Sequence, residues 1–130
     1  MLPGMFDDQS LDAALQRIDE WERSATQRAE QAHELARRAA QISATARSRD
    51  GHVEVTVGSE GQIQRLHLDE RIRQQPASET ASQIMAMLRE AQGKLVRQFD
   101  QVTAETVGED SETGRMLRES LRKRLGADDA

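Results

Sequence analysis

The stretch HVEVTVGSEGQIQRLHLD, residues 52–69, decides the fold. Val53, Val55 and Val57 alternate with His52, Glu54 and Thr56. That period of two, built from β-branched residues, predicts a strand with one apolar face. Gly58-Ser59-Glu60-Gly61 predicts a turn in which Gly61 takes positive φ. The return strand, residues 62–69, sets Leu66 and Leu68 on one face and Arg65 and His67 on the other. Together they predict an antiparallel hairpin with one dry face.

On the N-terminal side, Leu11, Leu15, Ile18, Ala25, Ala29, Ala32, Ala36 and Ala39 recur as a heptad that Glu22 interrupts. Trp21, Leu35 and Ile42 widen this stripe. With Ser10 as N-cap and no Gly or Pro before Gly51, the pattern predicts one helix of roughly 35 residues, about 50 Å long. Its second half is rich in Ala, which suits close approach of another helix. The run from Ser43 to Arg49 reads either as frayed helix or as an edge strand. Beyond the hairpin, residues 74–78 read as a connector, with Pro76 and the N-cap candidate Ser78 announcing a second helix. Ile84, Leu88, Ala91, Leu95 and Val102 repeat helically through it, and Gly93 in mid-helix suggests close packing. Residues 108–111 break the run. Met116, Leu117, Leu121 and Leu125 then form a short amphipathic helix ending at Gly126. The class is α+β, with two long helices around a small antiparallel sheet and a short third helix.

A chain of 130 residues is one domain. Only 2% of its residues are aromatic, so one chain has little bulk to bury, and a homodimer is expected. No cysteine is present, which fits a reducing cytoplasm. The first residues lack the features of a signal peptide, and no apolar run nears the length of a membrane span.

The net charge of −5 argues against a generic polyanion binder, but the charge is unevenly placed. Residues 111–126 carry five cations (Arg115, Arg118, Arg122, Lys123 and Arg124) against Glu112 and Glu119. Asp7, Asp8, Glu109, Asp110, Asp128 and Asp129 hold much of the excess negative charge. Arg37-Arg38 and Arg47 with Arg49 are further phosphate candidates, although ion pairs with Glu30, Glu34 and Asp50 would occupy them. The basic C-terminal helix would equally suit packing near Asp7, Asp8 and Asp12.

Catalytic readings find little support. Glu54, Asp69 and Glu70 are the carboxylates near the sheet, with no nucleophile or Gly-rich phosphate loop beside them. His52 and His67 share the Glu54 side of the hairpin, and His33 lies on the first helix. Two neutral ligands without a carboxylate at ligand spacing make a weak metal site. No enzyme, cofactor or metal site is expected.

The order of elements resembles the YbaB/EbfC family of bacterial nucleoid-associated proteins. Three features carry the likeness: Met5-Phe6 before a long Gln- and Glu-rich helix, the two short strands ending in Leu68-Asp69, and a helix containing Arg89-Glu90-Ala91-Gln92. The resemblance covers about residues 5–107, so residues 1–107 form the family-like unit and 108–130 a basic amphipathic helix with an acidic tail. In that last part, family members commonly have a flexible Gly/Pro-rich tail.

The resemblance implies a homodimer whose sheets join centrally while helical arms project like tweezers. It also implies non-catalytic, sequence-tolerant binding of duplex DNA in the cytoplasmic nucleoid. Arg37, Arg38, Arg115, Arg118, Arg122, Lys123 and Arg124 are the expected DNA-contacting residues. The alternative function is a protein-interaction or secretion-associated adaptor that binds a partner along its arms.

Overall fold

The computed structural model describes residues 8–126. Met5-Phe6, Asp7 and the tail carboxylates Asp128 and Asp129 lie outside the described residues. The elements in chain order are α1 (Asp8–Ala39), β1 (Ala44–Arg47), β2 (Val53–Val57), β3 (Ile63–Leu68), a short 3₁₀ segment (Glu70–Gln74), α2 (Ala77–Thr106) and α3 (Glu112–Leu125). The α+β architecture read from the sequence is the one observed.

β1, β2 and β3 form one antiparallel sheet in that order. The ambiguous run after α1 is therefore an edge strand. Its Ala44 and Ala46 point inward beside Val57 and Val55, and their small side chains let α2 lie close. Val53, Val55 and Val57 are fully buried under α2. Ala91, Leu95, Phe99 and Val102 cover them, while Leu35 of α1 and Leu121 of α3 close the core. Each fully buried Val or Leu contributes about 1.5–3 kcal/mol relative to exposure, so this valine row is a main source of stability.

The hairpin turn is as expected, with Gly61 at φ +82. A Cβ there would sit 1.9 Å from Leu125 Cδ2, so Gly61 also makes room for the end of α3. The dry face is only partly dry. Leu66 and Leu68 stand across from Val55 and Val53, on the α2 side, yet both are exposed. α2 covers the other two strands and stops short of β3.

Three local expectations are corrected. α1 is already helical at Asp8, so Ser10 lies inside it and is not its N-cap. Pro76 occupies the N-cap position of α2 without a side-chain hydrogen bond, and Ser78 lies in the first turn. Proline's fixed φ, here −60, starts this helix where a capping hydroxyl was expected. Gly93 has only Arg97 Nη1 within 4 Å of a hypothetical Cβ, so close packing does not account for it. The close approach is at Gly114 instead, where a Cβ would meet Thr103 Cγ2 at 2.5 Å.

Asp50 ties the β1–β2 turn to α2. Its Oδ1 accepts from Ser48 Oγ at 2.7 Å and from the His52 N–H at 3.0 Å, and its Oδ2 accepts from Gln83 Nε2 at 2.7 Å. The His52 N–H, then Ser48, lower the Asp50 pKa from 3.8 to about 2. A carboxylate with a depressed folded pKa stabilises the fold above its unfolded pKa and ceases to do so as pH falls through the folded value. The Asp50 contribution is thus expected to be complete above about pH 4 and to fade towards pH 2. Asp50→Asn should flatten the melting temperature against pH across that window. An unchanged slope would show that the carboxylate does not hold this turn.

Candidate nucleic-acid interface

α2 and α3 form a helical hairpin. Gly108, at φ +91, reverses the chain, and Ser111 caps α3 by accepting from the Gly114 N–H at 3.3 Å. Leu117, Leu121 and Leu125 recur every four residues, and that row turns inward. Met116 does not belong to it and is 68% exposed.

At about 100° per residue, this packing determines where the five cations point. Arg115, Arg118 and Arg122 fall on one flank of α3. Lys123 and Arg124 turn to other sides, and Glu112 and Glu119 stand between the two groups. A cluster that is continuous in sequence is thus divided around the helix.

Neighbours modify it further. Arg118 Nε lies 3.1 Å from Asp100 Oδ1, a charge contact whose geometry makes no hydrogen bond. Arg124 Nη1 lies 3.6 Å from Glu60 Oε1 on the hairpin turn. Arg115 Nη2 donates to the Asp110 carbonyl at 3.3 Å. The side chains of Arg122 and Lys123 have no ion pair or hydrogen-bond partner among the described residues, which makes them the freest cations of α3. Asp100, Glu109 and Asp110 share a groove with Arg115 and Arg118 and weaken its positive field. Among the described residues, neither Asp8 nor Asp12 pairs with α3.

Arg37 and Arg38 lie at the C-terminal end of α1. Arg37 pairs with Glu34 and Arg38 with Glu105 of α2. Hydrogen bonds from these guanidiniums hold both carboxyls below their usual pKa range. Both pairs are solvent-exposed, so each can exchange its carboxylate for a phosphate at little cost. The seven expected residues do not converge on one spot. Arg38 pairs with Glu105 and Arg118 with Asp100, both in the last two turns of α2, while Arg124 pairs with Glu60 on the hairpin turn and Arg37 with Glu34 on α1 itself.

A second positive surface lies on the outer face of the sheet. The register aligns Arg47, Glu54 and His67 in one row and Thr45, Thr56 and Arg65 in the next. The side chains of Arg47 and Arg65 have no ion pair or hydrogen bond among the described residues. Asp50, expected to occupy Arg47 or Arg49, is held by Ser48, His52 and Gln83 instead. The strand alternation already set Arg65 on this face, but only the β1 pairing brings Arg47 alongside. His52 is tied to Gln75, with Nδ1 2.8 Å from Gln75 Oε1, and His67 faces Glu54. Among the described residues, no three His, Cys, Asp or Glu side chains come together as a metal site would require. No helix among them is long and apolar enough to cross a membrane.

Comparison with known proteins gives one result. The family model described as the YbaB/EbfC DNA-binding family matches residues 15–110. No curated protein and no solved structure matches the chain.

Proposed function

Because the chain belongs to the YbaB/EbfC DNA-binding family, and membership implies nucleoid-associated DNA binding, we propose that it is a non-catalytic homodimer that binds duplex DNA with little sequence preference. The family match is the observation that carries this reading. It includes Arg37, Arg38, Arg47 and Arg65, whereas α3 lies beyond it. The α3 cations lie outside the matched residues. Arg side chains on a dimer contact the sugar–phosphate backbone, which positions DNA without reading bases. The site of action is the cytoplasmic nucleoid.

The two edges of the sheet support the dimer. At β1, Lys94 Nζ donates to the Thr45 carbonyl at 2.9 Å and places a cation on that edge. Such a charge discourages strand pairing. Among the described residues, no cation bonds to a main-chain carbonyl of β3. In its register, the N–H and C=O groups of Leu66 and Leu68 point away from β2 and meet no other strand. Ile63, Leu66 and Leu68 are exposed beside that edge, and Met85 of α2 is exposed as well. Pairing β3 with β3 of a second chain would satisfy those main-chain groups and cover the apolar side chains in one step. The arm formed by α1 leaves from the other end of α2 and stays outside this seam.

Light scattering at micromolar concentration should give about twice the chain mass of 14.6 kDa. Leu66→Asp with Leu68→Asp should return a folded monomer, since neither side chain is buried within one chain. A monodisperse wild-type monomer would defeat the proposed dimer.

A further inference from the structure

Among the described residues, no other helix or strand covers the apolar row in the first half of α1. The C-terminal part of α1 packs, through Leu35, on the core. Before it, Leu11, Leu15 and Ile18 are each at least half exposed and Trp21 is 66% exposed. They lie along a helix that extends about 30 Å past the last packed turns. Four large apolar residues in one exposed row form a patch of the kind that marks an interaction surface.

The charges beside this row select its occupant. Leu15, Glu22 and Ala29 fall at heptad position a, Leu11, Ile18 and Ala25 at d, and Asp12 and Asp19 at e. Across residues 8–25, five carboxylates (Asp8, Asp12, Asp19, Glu20 and Glu22) face two cations, Arg17 and Arg23. DNA is repelled by such a surface. An anionic membrane is repelled too, because helices that lie on membranes carry Lys and Arg on the polar face. A second copy of α1 also fits poorly. In parallel register Glu22 would meet its own copy in the seam, and in antiparallel register Asp12 and Asp19 would face the same acidic edge.

We propose that the apolar row from Leu11 to Ala25 docks a basic amphipathic helix of another protein, with a partner cation opposite Glu22. The row supplies the contact area, and the carboxylates supply the choice of partner. Charges flanking a helical seam set partner identity in this way. This inference stands apart from DNA binding, since it uses none of the residues assigned to phosphate.

Trp21 is the sole tryptophan and reports on the site directly. The full chain is titrated with a synthetic peptide of about 21 residues, three heptads, with Leu at a and d and Lys at e and g. The expected result is a saturable blue shift of Trp21 emission at one peptide per chain. Ile18→Asp and Glu22→Lys should each weaken binding by about ten-fold or more, as loss of a central contact does. Both positions are exposed, so circular dichroism and molecular mass should stay unchanged. Four outcomes would overturn the proposal. They are no shift with this peptide, an equal shift with a scrambled peptide or with Glu in place of Lys, an equal shift with anionic vesicles, or a change of mass in Ile18→Asp that reveals the row as a contact between copies.

Discussion

Val55→Asp is expected to abolish cooperative folding, whereas Thr56→Asp, one residue along, is expected to leave the fold intact. Val55 has no exposed surface. It sits on the central strand between Ala46 and Leu66, beneath α2. An aspartate there would stand between Ala46 and Leu66 in the apolar core. Burying such a group costs several kcal/mol even after its pKa shifts to neutralise it. A domain this small has a total stability of only about 5–15 kcal/mol, so most of the native population would be lost. Thr56 points to the outer face, where its Oγ1 lies 2.7 Å from Thr45 Oγ1 and its cross-strand neighbour is Arg65. Thr56→Asp forfeits one hydrogen bond, worth about 1 kcal/mol, and gains a nearby cation. Thermal melts followed by circular dichroism separate the two variants. Equal melting temperatures would mean that the inner and outer faces of β2 are wrongly assigned.

That contrast rests on alternation, the most legible signal in the sequence. The valine row, the turn at Gly61 and the helical run of α1 each follow from local rules that agree with the final packing. Residues 43–49 were ambiguous because Ala44 and Ala46 lack the bulk that marks a strand, and pairing with β2 is what makes them one. Ser78 yields the start of α2 to Pro76, and α1 is already helical two residues before Ser10. Met116 counts with the apolar residues of α3, yet it is one residue, about 100° of helix, from Leu117, enough to face solvent. Leu66 and Leu68 were given the correct face, but whether that face is covered depends on where α2 stops.

The site was harder to read for a related reason. Sequence shows how many cations a segment holds, and not which carboxylates fold against them. Asp100 reaches Arg118 from α2, Glu60 reaches Arg124 from the hairpin turn, and Glu105 reaches Arg38 across the α1–α2 contact. Each partner is distant in the chain. Only the local pair of Arg37 and Glu34 follows a helical spacing visible in sequence. The α1 stripe shows the opposite case. Its heptad was plain, but that its first half remains open emerges only once the packing of α2 and α3 is known.

Replacing Arg118, Arg122, Lys123 and Arg124 together with Gln is expected to flatten the salt dependence of DNA binding and to weaken all duplexes alike. Each phosphate contact releases counterions and contributes about −0.9 to the slope of log affinity against log salt. Two copies of four residues would account for a slope change of up to about 7 if every cation touches DNA. The geometry predicts that they do not contribute equally. Arg118 and Arg124 must first leave Asp100 and Glu60, while Arg122 and Lys123 have nothing to give up. Arg122→Gln with Lys123→Gln should therefore produce more than half of the full effect. α3 should persist in both variants, since Gln is nearly as good a helix former as Arg. Gel shifts at several salt concentrations, with duplexes of unrelated sequence, make the measurement. A comparison with Arg47→Gln plus Arg65→Gln separates the two positive surfaces. If the sheet variant loses the slope while the α3 variant keeps it, DNA lies on the sheet within the family-matched residues, and α3 serves packing alone. If a folded, dimeric wild type shifts no duplex at about 50 mM salt, where phosphate contacts are strong, duplex DNA is not its ligand. The net charge of −5 makes that outcome a severe test, because every contact must form against the mean field of the chain.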